Sequence, residues 1–158
     1  MVRTIGEDKG EQKVIDDIAA YGWHCMNIMA EGDQPPFSFT IGLFQSYGHP
    51  ELIIFGLRSE IAHQILAIAA DAAKAGTPFD LTKATDEFVD GYTCCFTQVP
   101  ASQYYENVGY ARWYYNGNSF PLYQIVWPSR DGIYPWHPAA SRDFREVQPI
   151  LGAYPGGT

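Results

Sequence analysis

Apolar residues recur at helical spacing early in the chain: Val14, Ile15, Ile18 and Tyr21 fall on one face, and Gly22 stands where the helix would stop. The period then changes to two. Trp23 to Ala30 reads as a strand, followed by the breaker-rich turn Glu31-Gly32-Asp33-Gln34-Pro35-Pro36. Phe37 to Phe44 alternates, with Phe37, Phe39, Ile41 and Leu43 on one face and Ser38, Thr40 and Gly42 on the other. A loop over 45–50 leads to Leu52-Ile53-Ile54-Phe55-Gly56-Leu57, which is apolar on both faces and so predicts a central strand.

Ser59 can cap a helix running to about Ala75, with a stripe of Ile61, Ile65, Ile68 and Ala72 joined by Leu66, Ala69 and Ala73. Residues 77–90 show no clear period. Tyr92 to Val99 reads as a strand. Ser102 can cap a third helix through Tyr115, with Tyr104, Val108, Ala111 and Tyr115 inward and Gly117 beyond the end. Pro121 to Trp127 is a further strand, and a short helix over 141–151 precedes the tail. Three strands in early succession favour antiparallel pairing over a doubly wound sheet. The expected fold is therefore α+β, a mixed or mainly antiparallel sheet of about five strands, near 23–30, 37–44, 51–57, 92–99 and 121–127, with helices packed on it. The expected organisation is a flexible arm over 1–10, one globular domain over 11–151 and a Gly-rich tail over 152–158.

Composition supports burial of a full core: hydrophobic residues make up 46% of the 158 and charged residues 18%. The formal net charge is −8 and the basic residues are scattered, so nucleic-acid backbones and anionic membranes are excluded as partners. Cysteine occurs at Cys25, Cys94 and Cys95 alone, an odd number with two adjacent, which points to free thiols in a reducing compartment. With no apolar run approaching a membrane span, a cytoplasmic location is expected.

His49-Pro50-Glu51 matches the opening half of the zinc deaminase signature, but the required Pro-Cys-x-x-Cys half is missing, and a turn leading into a strand explains the same residues. His24, His49, His63 and His137 lack metal-ligand spacing, so no metal is expected. No nucleophile elbow or phosphate loop occurs. The pair Trp127 and Trp136 either walls a pocket for a planar ligand or plugs the end of a sheet.

Tyr21-Gly22-Trp23-His24, Phe39-Thr40-Ile41-Gly42-Leu43, residues 48–57 from Gly48 to Leu57, Tyr110-Ala111-Arg112-Trp113-Tyr114-Tyr115, Gln124-Ile125-Val126-Trp127-Pro128, and Asp131-Gly132 with Pro135-Trp136 together resemble the bacterial domain of unknown function 4262 family, over about residues 12–150. Ser129 departs from the acidic residue expected after Trp-Pro. The resemblance implies a bacterial or phage origin and no particular activity. It marks polar and aromatic residues beside turns: His24, Thr40, His49, Glu51, Gln124, Trp127, Asp131 and Trp136. The Thr-Ile-Gly-Leu strand and the following loop are similar to the start of split-barrel flavin reductases, a fold-level analogy that keeps flavin in view.

Two functional classes follow. One is a pocket for a small ligand, nucleotide or flavin-like; the other is a protein-interaction or regulatory module without catalysis. For the first, His49 and Glu51 are the candidates for proton transfer and Thr40, Gln124, Trp127 and Trp136 for ligand binding. The expectation is that His49, Glu51, Gln124 and Trp127 surround one concavity with Thr40 and Trp136 at its rim. The alternative is that Gln124 is satisfied by backbone and the tryptophans fill core.

Overall fold

The computed structural model describes residues 1–153, so most of the Gly-rich tail expected over 152–158 lies outside the described residues. The first helix, α1, spans Lys9–Tyr21, with the Asp8 carboxylate accepting from the Glu11 N–H as its cap. Strands β1 (His24–Ile28) and β2 (Phe37–Ile41) form an antiparallel pair, and a short helix α2 (Leu43–Tyr47) leads to β3 (Glu51–Phe55). Helix α3 (Ser59–Lys74) precedes a hairpin of β4 (Thr85–Val89) and β5 (Tyr92–Gln98). A 3₁₀ turn over Ala101–Gln103, α4 (Tyr104–Asn107) and α5 (Gly109–Tyr115) lead to β6 (Leu122–Val126), and α6 (Arg142–Val147) follows.

The six strands lie in the order β1-β2-β3-β6-β5-β4, an open mixed sheet that does not close into a barrel. β3 and β6 run parallel, with Glu51 opposite Leu122 and Ile53 opposite Gln124, while the other neighbours are antiparallel. Burial on both faces explains the apolar run of β3. Ile53 and Phe55 join Phe37, Phe39 and Ile41 beneath α1 and α5; Leu52 and Ile54 face Ile65, Leu66 and Ala69 of α3 on the other side. Each such aliphatic side chain contributes about 1.5–3 kcal/mol by leaving water.

Four local readings are corrected. The alternation over 37–44 does not continue as strand: Gly42 adopts a left-handed conformation (φ 113°), the chain turns into α2, and Leu43 enters the core on the opposite face. Helix α3 starts with Ser59 as its first residue and no side-chain cap, and its buried face is turned by about one residue, through Ala62, Ile65, Leu66, Ala69 and Ala73, leaving Ile68 37% exposed. The helix expected over 102–115 breaks at Val108 (φ −124°, ψ 50°), although Tyr104, Val108, Ala111 and Tyr115 all point inward as expected. Residues 85–89, without clear period, form β4 at the sheet edge. Near the N-terminus, Val2 packs against the core and the Arg3 N–H donates to the Tyr114 carbonyl at 2.9 Å.

Candidate functional site

The end of β2 and the start of β3 separate around a carboxylate. Thr40 Oγ1 accepts from the Leu52 N–H at 2.9 Å and donates to Glu51 Oε1 at 2.6 Å. The Glu51 carboxylate also accepts from the backbone N–H groups of Gly42 (2.9 Å), Leu43 (3.2 Å) and Phe44 (3.2 Å), and from the Tyr115 hydroxyl. Tyr115 in turn accepts from the Gln45 N–H at 3.2 Å. The otherwise unpartnered donors at the start of α2 are thus capped by a residue from another element. Burial pushes the Glu51 carboxyl upward, against the hydroxyls of Thr40 and Tyr115 and the α2 backbone. With no exposed surface and all of these donors converging on it, Glu51 is an architectural group here.

The other residues expected around one concavity are held apart. His49 lies in the loop before β3, lining a cavity bounded by the end of α3 and residues 76–81. Gln124 is fully buried: its amide donates to the Pro149 carbonyl at 2.8 Å and accepts from the Leu151 N–H at 3.0 Å, clamping the C-terminal segment. Trp127 lies at the far end of the β3–β6 pair, roughly 16 Å along the strands from the level of Glu51 at the usual rise per residue. Its indole donates to the Phe55 carbonyl at 2.7 Å and packs edge-on against Phe144. Trp136 stacks on Tyr134 at 5.0 Å and lines a separate small cavity with Arg145 and Gln148. Thr40 and Glu51 are in direct contact, whereas strand direction sends His49 and Trp127 to opposite ends of the sheet.

A different set of chemically capable side chains converges where the C-terminal half of α1, the start of β1 and the flank of α3 meet. There a cleft of about 480 Å³ is lined by Asp17, Trp23, His24, His63, Asp71 and Lys74, among others. Gly22 ends α1 in a left-handed conformation (φ 92°) and reverses the chain, which brings His24 back beside Asp17. His24 Nδ1 lies 2.7 Å from Asp17 Oδ2, and Lys13 Nζ lies 3.2 Å from the same oxygen, one helical turn away. Burial works to raise the Asp17 carboxyl, but its bonds to His24 and Lys13 prevail and hold it below the usual range. A carboxylate only accepts, so it fixes the proton of a neutral His24 on Nδ1 and leaves Nε2 as a lone pair. Trp23 and His63 form an aromatic wall, with ring centroids 5.8 Å apart. Cys25 also borders the cleft, but burial pushes its thiol up to about 11, so it is no activated nucleophile.

Of this set, the sequence drew attention to His24 and His63 as scattered histidines, and to Trp23 and His24 again through the family resemblance, but singled out none of Asp17, Asp71 and Lys74 as site residues. The usable signal was Asp17, one turn before a Gly22 reversal that returns the chain to a histidine. Among the described residues, no group of three His, Cys, Asp or Glu is placed to hold a metal ion. Nor is any helix long and apolar enough to cross a membrane.

The open mixed sheet, helices on both faces and a polar cleft at its β1 edge define an α+β domain with an Asp–His pair facing a small-molecule-sized space. The chain belongs to the family described as Domain of unknown function (DUF4262), whose model matches residues 17–141. No curated protein and no solved structure matches it.

Proposed function

We propose that this chain is a small-molecule-binding domain whose ligand occupies the cleft between α1, β1 and α3. The observation that supports it most is the Asp17–His24 pair, which presents one oriented acceptor beside the aromatic wall of Trp23 and His63. The cleft volume of about 480 Å³ falls within the usual range for ligand pockets. The ligand class that this chemistry favours is a planar heteroaromatic, such as a nucleobase or flavin-like ring. Its face packs on Trp23, and a ring N–H or O–H donates to His24 Nε2. Lys74 at the margin suits an anionic substituent. Native mass spectrometry of freshly purified protein tests for a retained ligand, and tryptophan fluorescence titration with nucleosides and riboflavin tests the class. Binding weakened about tenfold or more in His24→Phe and Asp17→Asn is expected. Absence of any retained ligand together with no response across that panel rejects the reading.

A second reading, a protein-interaction surface, is favoured by one observation. An apolar groove of about 410 Å³ runs between the β1–β2 edge and α4–α5, bordered by Tyr105, Tyr110 and Trp113, and Tyr105 is 77% exposed. Its rim carries Glu11 and Glu106, which suits an apolar segment with basic flanks. Loss of a copurifying protein on Tyr105→Ser, with the cleft's ligand binding intact, would favour this reading.

A further inference from the structure

β1 is one edge of the sheet and β4 the other, and the two differ in what guards them. β4 exposes Asp86 and Glu87, and its register with β5 shifts between Thr85 and Val89; charge and irregularity both discourage a further strand from adding. β1 has neither protection. Its register with β2 is regular from His24 to Ile28, and residues 23–30 hold no Asp, Glu, Lys, Arg or Pro.

Successive residues of a strand aim their backbone groups to alternate sides. The Pro36 carbonyl accepts from the Gly56 N–H at 2.8 Å, toward β3, so Phe37, Phe39 and Ile41 aim theirs at β1. Their partners Ile28, Met26 and His24 answer, and the backbone of Cys25 and Asn27 faces outward. Beyond the β2 ladder, no backbone group of His24–Ile28 takes a hydrogen bond among the described residues. The space beside this edge is open. A cleft of about 480 Å³ borders Cys25 at one end, and another of about 300 Å³ borders Asn27 and Met29 at the other. Apolar side chains stand out at both ends, with Tyr21 65% and Met29 76% exposed.

We propose that β1 pairs with β1 of a second copy of this chain, antiparallel about a two-fold axis at Met26, joining two sheets into one. In this register Cys25 faces Asn27 of the partner subunit and Asn27 faces the partner's Cys25, each pair exchanging both main-chain hydrogen bonds. The same axis sets the exposed Met29 opposite the partner's Trp23, so the apolar groups at the two ends of β1 cover each other. Two chains of net charge −8 thereby meet along a stretch that carries no charge. This self-match is what favours a second copy over an extended peptide of another protein. Trp23 also walls the Asp17–His24 cleft, so the partner's Met29 becomes part of its mouth. That consequence alone rests on the cleft being the ligand site.

Sedimentation velocity and native mass spectrometry of the full-length wild type across a wide concentration range test the pairing, with hydrogen exchange as the local readout. The wild type should form a dimer, with the Cys25 and Asn27 amides protected in step with the dimer present. Asn27→Pro removes an outward N–H and spares the β2 ladder. Met29→Glu places a charge where the single chain exposes the side chain. Each should give a monomer with the wild-type circular dichroism spectrum. Asn27→Pro also takes away the acceptor of the Ser38 hydroxyl; should it fail to fold, Met29→Glu still decides. A wild type that is monomeric at every concentration overturns the proposal, whether or not another protein is found seated on β1. So does a dimer that Met29→Glu leaves intact, or one whose Cys25 and Asn27 amides exchange as fast as in the monomer. A dimer that the substitutions dissociate, in a protein whose tryptophan fluorescence answers to no nucleoside or riboflavin, supports the pairing and rejects only the cleft reading.

Discussion

The Tyr115 hydroxyl donates a hydrogen bond to the Glu51 carboxylate across 64 residues of sequence, joining α5 to the start of β3 beside the first turn of α2. Between them the two side chains receive the backbone N–H groups of residues 42–45. Glu51→Ala should lower the unfolding free energy by about 3 kcal/mol, since several buried donors lose their acceptor at once. Tyr115→Phe removes one hydroxyl and should cost about 1–2 kcal/mol. Urea denaturation of both variants checks the order; equal small losses would show that the carboxylate is not the cap.

Gly22 supports the cleft through its conformation and its lack of a side chain. A Cβ at this position would lie 2.0 Å from the Tyr47 hydroxyl oxygen, on a backbone with φ +92°. Gly48, also left-handed at φ +67°, would meet nothing within 4 Å. Gly48→Ala should therefore show the conformational penalty alone, about 1–2 kcal/mol. Gly22→Ala should cost more and should also weaken ligand binding at the Asp17–His24 cleft by displacing Tyr47. Thermal melts and fluorescence titration of the two variants, compared directly, separate strain from collision; identical behaviour would refute the role given to Tyr47.

The sheet was legible in the sequence because its strands are half or fully buried, and period-two alternation records that. Phe37, Phe39 and Ile41 share a face as read, and Leu52 to Phe55 is central as read. Where the signal stopped was physical. Leu43 continues the alternation on paper, but the Gly42 turn and a carboxylate nine residues downstream of Gly42 redirect it, and neither leaves a periodic trace. β4 was invisible because it is an edge strand whose Asp86 and Glu87 face solvent. The polar residues beside turns were visible in the sequence one by one. Their grouping was not legible, since it depends on β3 and β6 being parallel neighbours, which puts His49 and Trp127 at opposite ends. The Asp17–His24 pair needed only local geometry, a helix end and a reversal, and was within reach.

Gln124 and Gln148 act as a matched pair of amide clamps. Gln124 bonds the Pro149 carbonyl and the Leu151 N–H, while Gln148 accepts from the Trp127 N–H at 2.9 Å and donates to the Trp127 carbonyl at 2.8 Å. Each side chain imitates a strand partner for a stretch of backbone that has none. Gln124→Leu preserves approximate volume but leaves two part-buried backbone groups without their partner, and should cost about 1–2 kcal/mol. The loss should be concentrated after residue 147. Hydrogen exchange should show faster exchange at Leu151 with β3 still protected; uniform acceleration across the sheet would contradict a local clamp.

His49 should make stability depend on pH with a definite sign. Burial lowers its folded-state pKa below the ordinary 6.5, so between those two values the unfolded chain binds more protons than the folded one. Stability then increases with pH through that window. The full contribution is present above pH 6.5 and is lost progressively as pH falls toward the folded-state value. His49→Gln keeps a polar side chain without a titrating proton, and should flatten this part of the profile. Urea unfolding of wild type and variant at pH 7.5, 6.0 and 5.0 provides the comparison. The wild type should lose more stability than the variant over the acidic step, and the two should differ least in pH dependence above 7. Parallel profiles would mean that His49 gains its proton as readily in the folded protein as in the unfolded chain, which an enclosed ring with an unpartnered Nε2 does not permit.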